Sequence, residues 1–454
     1  MSENLEKNVS SETSVNNIYK LDGKVPFLTA FSIGLQHVLA MFLANVTPII
    51  IIVSVATLNG KPIPEALKTQ LLQNSMLVAG FASLVQIFGI GKIGSRLPII
   101  MGISFTFLSV ALAHVGKDYN VILGAIIVGG LIEGFLGLTY KYWKSIISPI
   151  VTSCVVTGIG ISLLPVGATS FCGGVVGASD FGAIKYWVAG TITFISCIIA
   201  LNTFRSTLKA LSPLIGLFIG YIVSIPLGLI DVSSIFNHGY FSLPVLFPTG
   251  KPVFEFNSII SFIFIFLVSA TETIGDTSAV CHGALNRPMT EKEGAGSLAC
   301  DGFSSSFAAL FGCSSTTSYS QNVGLINLTK VVNRYVVATG AFILIFASFF
   351  PPIAELLKSV PQSVLGGCTI LMFGQIFISG IQMLFKCGLN ERNLTIASIS
   401  ICLSVGFSSQ PTMFQFMPQL IKEIFANNPV SIIFVTALFL DLCLPKEHLE
   451  DNHS

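Results

Sequence analysis

The chain has 454 residues, of which 52% are hydrophobic and 10% are charged, and its formal net charge is +1. Soluble domains carry about 25% charged residues, so this composition excludes a soluble protein of this size. The small net charge and the absence of a basic run give no indication of a nucleic-acid partner.

The first 24 residues are polar and mixed in charge, without the apolar core of a signal peptide, so we expect a cytoplasmic tail. Apolar blocks long enough to cross a bilayer follow, separated by short charged connectors. We place fourteen blocks, where hydropathy alone would accept twelve, and several are interrupted, as the first is by Pro48. In chain order they are 27–56, 70–90, 97–115, 121–139, 147–168, 183–201, 210–230, 257–280, 295–311, 319–339, 335–351, 361–385, 393–409 and 412–443.

The basic residues give the orientation of these blocks. With the N-terminus inside and fourteen crossings, most of the 23 Lys and Arg residues fall in cytoplasmic connectors, and every arginine does, including Arg205. This is the positive-inside pattern. We therefore expect an all-α, multi-pass protein of the cell membrane with both termini in the cytoplasm.

Two stretches in the third and tenth blocks share one pattern. LPIIMGISFTFLSV (97–110) and SSTTSYSQNVGLINLT (314–329) each run from Ser-, Thr- or Gly-bearing, extended-looking sequence into a short apolar stretch. Ser104 and Ser320 in these stretches are about half a chain length apart. Interrupted segments at matching positions indicate two inverted repeats of seven spans, with a binding site near the membrane midplane.

The ten cysteines are scattered singly, mostly inside apolar blocks, and no C-x-x-C occurs. Buried thiols of this kind behave as small apolar residues. We therefore expect neither a disulfide framework nor a metal site, and no cofactor.

Few ionisable residues lie inside the blocks, and each is a functional candidate because it is costly in hydrocarbon. The set is His37, Glu133, Glu272, Asp276 and Asp301. Glu272 and Asp276 are four residues apart and share one helix face, so we expect one of the two carboxyls to hold a proton at neutral pH.

Each of these residues also has a structural reading. Glu272 could be a buried structural acid, and Asp276 could support the site through neighbouring hydroxyls. His37 fits a hydrogen bond between helices. Asp301 could cap the start of the ninth span as an N-terminal acid. Glu133 lies in a stretch of small residues and has no assigned role.

Five stretches together resemble the nucleobase–ascorbate transporter family. QNVGLINLTKVVNR (321–334) is similar to the family signature [QEP]-N-x-G-x-x-x-x-T-[RKG], with Arg334 as its trailing arginine. ETIGDTSAV (272–280), SVPQSVLGG (359–367) followed by FG (373–374), NERNLTIASISI (390–401) and GLQHVLAMF (34–42) resemble the family's other motifs in order. The likeness covers nearly the whole chain.

The resemblance implies fourteen spans in two inverted sevens, with short strands in spans 3 and 10. It also implies a core domain that moves as an elevator against a gate domain, and a homodimer formed through the gate. The implied ranges are a cytoplasmic tail at 1–24, core at 25–140, gate at 141–235, core at 255–352, gate at 359–443 and a cytoplasmic tail at 444–454.

The resemblance also implies roles for individual residues. Glu272 would accept hydrogen bonds from ring N–H groups, and Gln321 would read another edge of the base. Phe105 would stack on the ring, the backbone N–H groups of Phe105 and Ser320 would bind its carbonyls, and Tyr319 would line the pocket. Ser104 is counted with these binding residues. The expected support and coupling residues are Asp276, Asp301, Asn322 and His37.

Gln321 indicates the substrate class, because uracil carriers of the family tend to have Glu there and the ascorbate branch Pro. The resemblance therefore implies proton-coupled uptake of a purine, xanthine or uric acid, with sodium coupling not excluded. Val323 departs from the second Asn common in that group. A uracil or general nucleobase permease is the alternative. An anion transporter of the same fold conflicts with Glu272, and no catalytic constellation indicates an enzyme.

Overall fold

A computed structural model of the protein describes residues 17–144, 146–204, 209, 211–230, 239–426 and 428–445. The predicted N-terminal tail up to residue 16, the predicted C-terminal tail from residue 446, and Arg205 lie outside these ranges. The described part of the chain is mostly helical.

In the first half of the chain, most helices lie within the predicted apolar blocks. After a 3₁₀ turn at Asn17–Tyr19, its elements are α1 (Phe27–Val55), β1 (Thr57–Leu58), β2 (Lys61–Pro62), α2 (Glu65–Phe88), β3 (Met101–Ile103), α3 (Leu108–Ala113), α4 (Tyr119–Leu138), α5 (Tyr140–Trp143), α6 (Pro149–Phe171), α7 (Ile184–Thr203) and α8 (Ser212–Ser224).

The second half has a comparable order of long helices, one short strand and broken segments. Its elements are α9 (Phe256–Gly283), α10 (Glu291–Leu310), β4 (Thr316–Ser318), α11 (Ser320–Thr329), α12 (Arg334–Ala347), α13 (Pro351–Lys358), α14 (Gln362–Lys386), α15 (Glu391–Ser408), a 3₁₀ turn at Pro411–Phe414, α16 (Gln419–Ile421), a π turn at Lys422–Ala426 and α17 (Pro429–Cys443).

In the described part of the chain, seven helices are long and apolar enough to cross a membrane alone: α1, α2, α4, α6, α7, α9 and α14. Two further pairs reach this length only together, α12 with α13 and the 419–426 segment with α17. The first pair is bent by 88°. Pro351 and Pro352 begin α13, and a proline lacks the N–H that would continue the preceding helix.

Two boundary predictions are wrong. Asp301 lies in the middle of α10 and not at its start, because a capping box between Thr290 and Glu293 begins this helix earlier. The overlapping blocks 319–339 and 335–351 are two separate helices. Lys330 ends α11 in the left-handed conformation with a φ of 60°, and the Asn333 side chain caps the start of α12.

The long helices pack in two groups. The first helix group contains α1, α2, α4, α9, α10 and α12, with α4 packed on α9 and α10, and α12 packed on α1 and α2. The second helix group contains α6, α7, α8, α14, α15 and α17, with α6 packed along α14. Fewer contacts join the groups, and most of them involve α9.

Strands β3 and β4 pair antiparallel within the first helix group, with Met101 opposite Ser318 and Ile103 opposite Thr316. Backbone hydrogen bonds extend the pairing at both ends, from Ser104 to Ser315 at 2.8 Å and from Tyr319 to Ile100 at 3.1 Å. All six strand residues are buried. The pairing satisfies backbone groups that no helix could satisfy here, and it directs the chain into α3 and α11.

Candidate binding cleft between the helix groups

A narrow cleft lies where the strand ends of the first helix group face the second. Its walls are Phe105, Thr106, Glu272 and residues 317–321 on one side, and Ile159 of α6 and Ile376 of α14 on the other. The space open to the centre of a water-sized sphere is about 20 Å³, which is room for about one water molecule. A ring-sized ligand therefore requires the two walls to separate.

Glu272 presents one free carboxylate oxygen to this cleft. Its Oε2 accepts a 2.6 Å hydrogen bond from Thr106 Oγ1. Its Oε1 has no hydrogen-bond partner among the described residues, and the side chain is only partly buried. Thr106 therefore fixes the carboxylate and leaves one oxygen for a ligand. Sequence reasoning missed Thr106, although it follows Phe105 directly.

Three donors or acceptors on the same side of the cleft also lack partners within the described part of the chain. They are the side-chain amide of Gln321 and the backbone N–H groups of Phe105 and Ser320. The Ser320 N–H is the first of α11, where unpaired N–H groups and the helix dipole favour electron-rich ligand atoms. The cleft thus offers one carboxylate oxygen, one amide and two N–H donors.

Asp276 supports the end of β4 and the start of α11. Its two carboxylate oxygens accept hydrogen bonds from Ser318 Oγ and Ser320 Oγ, each at 2.8 Å. Asp276 is 8% exposed and does not line the cleft. Although Glu272 and Asp276 are one helical turn apart, the first faces the cleft and the second holds the backbone that carries Ser320 and Gln321.

Asp301 lies deeper, between α9, α10 and β4. Its Oδ2 accepts hydrogen bonds from Thr273 at 2.5 Å, Ser269 at 3.2 Å and Thr317 at 3.3 Å. Asp301 is fully buried. Since Thr317 also lines the cleft, Asp301 is connected to the candidate site through one hydroxyl.

His37 and Asn322 join α1 to α11. His37 Nδ1 and Asn322 Oδ1 are 2.7 Å apart, and both side chains are buried. Asn322 and Ser104 do not line the cleft; Ser104 is buried, and its Oγ accepts a hydrogen bond from the Thr106 N–H.

Tyr319 crosses the strand pair and lines the cleft. Its hydroxyl donates to the Ile103 carbonyl oxygen at 2.7 Å, and its ring passes over Gly102, where a Cβ would overlap it. Asn45 on α1 accepts a 2.9 Å hydrogen bond from the Ile103 N–H. Asn45 was missed because it is not ionisable, but a buried amide in an apolar span is also a signal.

Phe105 connects the two walls of the cleft. Its ring meets Phe373 of α14 edge to face, with the ring centroids 5.1 Å apart. Phe105 is 5% exposed, so its face is covered until the helix groups separate. This contact and the small free space describe a closed cleft.

A charged cluster joins the helix groups beyond α3, at the N-terminal end of α9. Lys117 Nζ donates to Glu255 Oε1 at 2.9 Å and to Glu423 Oε1 at 3.1 Å. The hydrogen bond from Lys117 lowers the pKa of Glu255 from its ordinary value of 4.5. We call Lys117, Glu255 and Glu423 the Lys117 cluster. It links the α9 start to the π turn before α17.

The chain has similarities to proteins with known families and folds. The family model Xan_ur_permease, described as a permease family, matches residues 28–413. The xanthine permease XanQ of Escherichia coli strain K12 is 31% identical in an alignment of 452 residues that covers 96% of this chain and 95% of XanQ. The nucleobase transporter PlUacP of Paenibacillus larvae is 33% identical in an alignment of 407 residues that covers 88% of this chain and 91% of that protein.

A solved structure shares the fold. The transmembrane domain of a cyanobacterium bicarbonate transporter, BicA, aligns with a TM-score of 0.56 at 14% identity, covering 90% of this chain and 97% of that domain. At this identity the likeness is one of architecture alone.

Proposed function

Because the chain belongs to the nucleobase–ascorbate transporter family and is a multi-pass membrane protein, we propose that it imports a purine base, xanthine or uric acid, together with a proton. The relatives named for xanthine and nucleobase transport span nearly its whole length. This coverage supports a transport function of the same kind.

The observation that carries the substrate class is the set of unpaired groups in the cleft. A purine dione presents ring N–H donors and two carbonyl acceptors in one plane. Glu272 Oε1 can accept one N–H, the Gln321 amide can donate to a carbonyl and accept from another N–H, and the N–H groups of Phe105 and Ser320 can reach carbonyl oxygens. The Phe105 ring supplies an apolar face for stacking.

Gln321 also bears on the choice among bases. A carboxylate at this position could only accept hydrogen bonds when ionised, whereas an amide both donates and accepts. Xanthine and uric acid place a carbonyl beside an N–H along an edge, which matches an amide. Uracil has such an edge as well, so the preference for a purine over uracil rests on the amide of Gln321 at a position where uracil carriers of the family tend to have Glu.

The repeated helix contacts support the proposed fourteen spans in two inverted halves. The contact between α4 and α9 corresponds to the contact between α12 and α1 when the two halves are exchanged. In the same way, the contact between α7 and α8 in the first half corresponds to that between α15 and α17 in the second. Ser83 accepts a hydrogen bond from the N–H of Met101 as Ser305 does from the N–H of Thr316. Corresponding positions in two halves therefore hold the two strands.

In the proposed mechanism the first helix group is the core domain and the second is the gate domain. The closed cleft lies between them, and a base can enter only when Ile159 and Ile376 move away from the strand ends. Movement of the core along the gate would open the cleft to one side at a time, as an elevator does. The cytoplasmic termini and the homodimer remain predictions.

Uptake of labelled xanthine by cells that express the chain tests the proposal. We expect concentrative uptake that an uncoupler abolishes. We also expect unlabelled xanthine or urate to inhibit the uptake of labelled xanthine more strongly than uracil does. Uptake that persists with the uncoupler would contradict proton coupling. If uracil inhibits this uptake as strongly as unlabelled xanthine does at the same concentration, the result would favour a general nucleobase permease.

A further inference from the structure

Glu133 is a buried acid to which the proposed binding cleft gives no role. It lies in α4, is 1% exposed, and does not line the cleft. Both of its carboxylate oxygens are buried and have no hydrogen-bond partner among the described residues. An ionised carboxylate left in this state would cost many kcal/mol, so the group needs a proton or a cation.

The close contact between α4 and α10 brings together the helix turns that carry Glu133 and Asp301. Small residues let the two backbones touch, because a Cβ at Gly302 would overlap the Gly134 nitrogen and would lie 2.8 Å from the Glu133 carbonyl carbon. Gly302 directly follows Asp301 in the chain. A longer side chain at this crossing would separate the two acids.

Asp301 has one satisfied and one unsatisfied oxygen. Three hydroxyl groups donate to its Oδ2, and its Oδ1 is buried without a partner in the described part of the chain. Hydroxyl donors stabilise the negative charge of a carboxylate. Asp301 therefore suits the role of the ionised acceptor, and Glu133 suits that of the neutral donor.

The surroundings of Glu133 favour a proton over a metal ion. The charged groups that interact electrostatically with the Glu133 carboxyl are Asp301 on α10 and Glu272 on α9, and both are acidic. The β1 residues packed against α4 are not titratable. Among the described residues, no three His, Cys, Asp or Glu side chains are arranged to hold a metal ion. A proton needs only one donor and one acceptor oxygen.

We propose that Glu133 and Asp301 share one proton, with the Glu133 O–H donating to Asp301 Oδ1, and that this pair is a proton-binding site behind the cleft. Thr317 donates to Asp301 and also lines the cleft, so this one residue borders both sites. A base that moves Thr317 would change the hydrogen bonding of Asp301 and thus its hold on the proton. This coupling role rests on the proposed symport function.

Infrared spectroscopy of the purified full-length protein at neutral pH tests the pair directly. In difference spectra, where the bands of other protonated carboxyls cancel, we expect the C=O stretch of a protonated carboxyl in the wild type minus Glu133→Gln. We expect no such band in the wild type minus Glu391→Gln, a control at an exposed acid. In Asp301→Asn the band should shift because the acceptor changes from a carboxylate to an amide. A difference spectrum for Glu133→Gln without the band, or a band that Asp301→Asn leaves unchanged, overturns the pair. A band that appears only when sodium is withdrawn assigns the site to sodium and also overturns the proposal.

Proton movement in proteoliposomes that contain a pH-sensitive dye tests the coupling. We expect xanthine to carry protons inward with the wild type, and Glu133→Gln to exchange xanthine for labelled xanthine without proton movement. Proton influx that persists in Glu133→Gln would refute the coupling role. Wild-type protein that moves xanthine without protons would instead contradict the proposed symport, and the infrared result would still decide the pair.

Discussion

Replacing Glu272 by glutamine removes the free acceptor in the cleft and keeps the size of the side chain. Thr106 occupies one carboxylate oxygen at 2.6 Å, so the expected loss is one hydrogen bond between the base and a charged oxygen. Such a bond contributes about 1.5–3 kcal/mol, which at 1.4 kcal/mol per tenfold corresponds to about 10- to 150-fold weaker binding. The new NH₂ group would also face a ring N–H of the base, which weakens binding further.

Equilibrium binding of xanthine to purified Glu272→Gln, with Glu391→Gln as the control, measures this loss. Thr106→Val is the informative companion, because it keeps both carboxylate oxygens and removes only the group that fixes them. We expect its loss of affinity to be the smaller one. Wild-type affinity in Glu272→Gln would refute the role of this carboxylate, and so would a larger effect in Thr106→Val than in Glu272→Gln.

Three further changes test other parts of the structure. Gln321→Glu should weaken xanthine binding, because the ionised carboxylate cannot donate to a carbonyl; an unchanged order of competing bases would argue against this contact. Gly302→Val should destabilise the protein by about 1–3 kcal/mol, because the valine side chain would overlap the α4 backbone. Gly406→Ala is the control: the space around Gly406 is open, so this change should leave the melting temperature unchanged or raise it. Equal effects of the two substitutions on the melting temperature would refute the close crossing of α4 and α10. Lys117 lowers the pKa of Glu255, so their ion pair stabilises the protein above pH 4.5 and is lost as the pH falls through the lowered pKa. The melting temperature of Lys117→Met should therefore fall less on acidification than that of the wild type, and identical acid branches would contradict the pairing.

The helical membrane fold was predictable from the sequence because long apolar blocks with few charges are typical of membrane-spanning helices. The boundaries were less predictable. The prediction that Asp301 lies at the start of a helix is wrong, although the residues of the capping box, Thr290 and Glu293, are readable in the sequence. The stop at Lys330 depends on a left-handed backbone conformation that its residue type does not indicate.

The candidate site was predictable where polar residues stand out from apolar spans. Glu272 and Gln321 line one cleft, as the motifs implied. Glu133 could be noticed but not interpreted, since the close approach of α4 to α10, which carries Asp301, depends on a glycine contact between segments far apart in the chain. Ile159 and Ile376 could not be found at all, because an isoleucine that faces a cleft has the same sequence context as one that faces lipid.

A structure of the purified protein with xanthine bound would test the central claim most directly. We predict a planar base against the Phe105 ring, with ring N–H groups within hydrogen-bond distance of the Glu272 carboxylate and one edge paired with the Gln321 amide. Ile159 and Ile376 should lie farther from the strand ends than they do in the closed cleft. A base bound elsewhere, without contact to Glu272 or Gln321, would contradict the account.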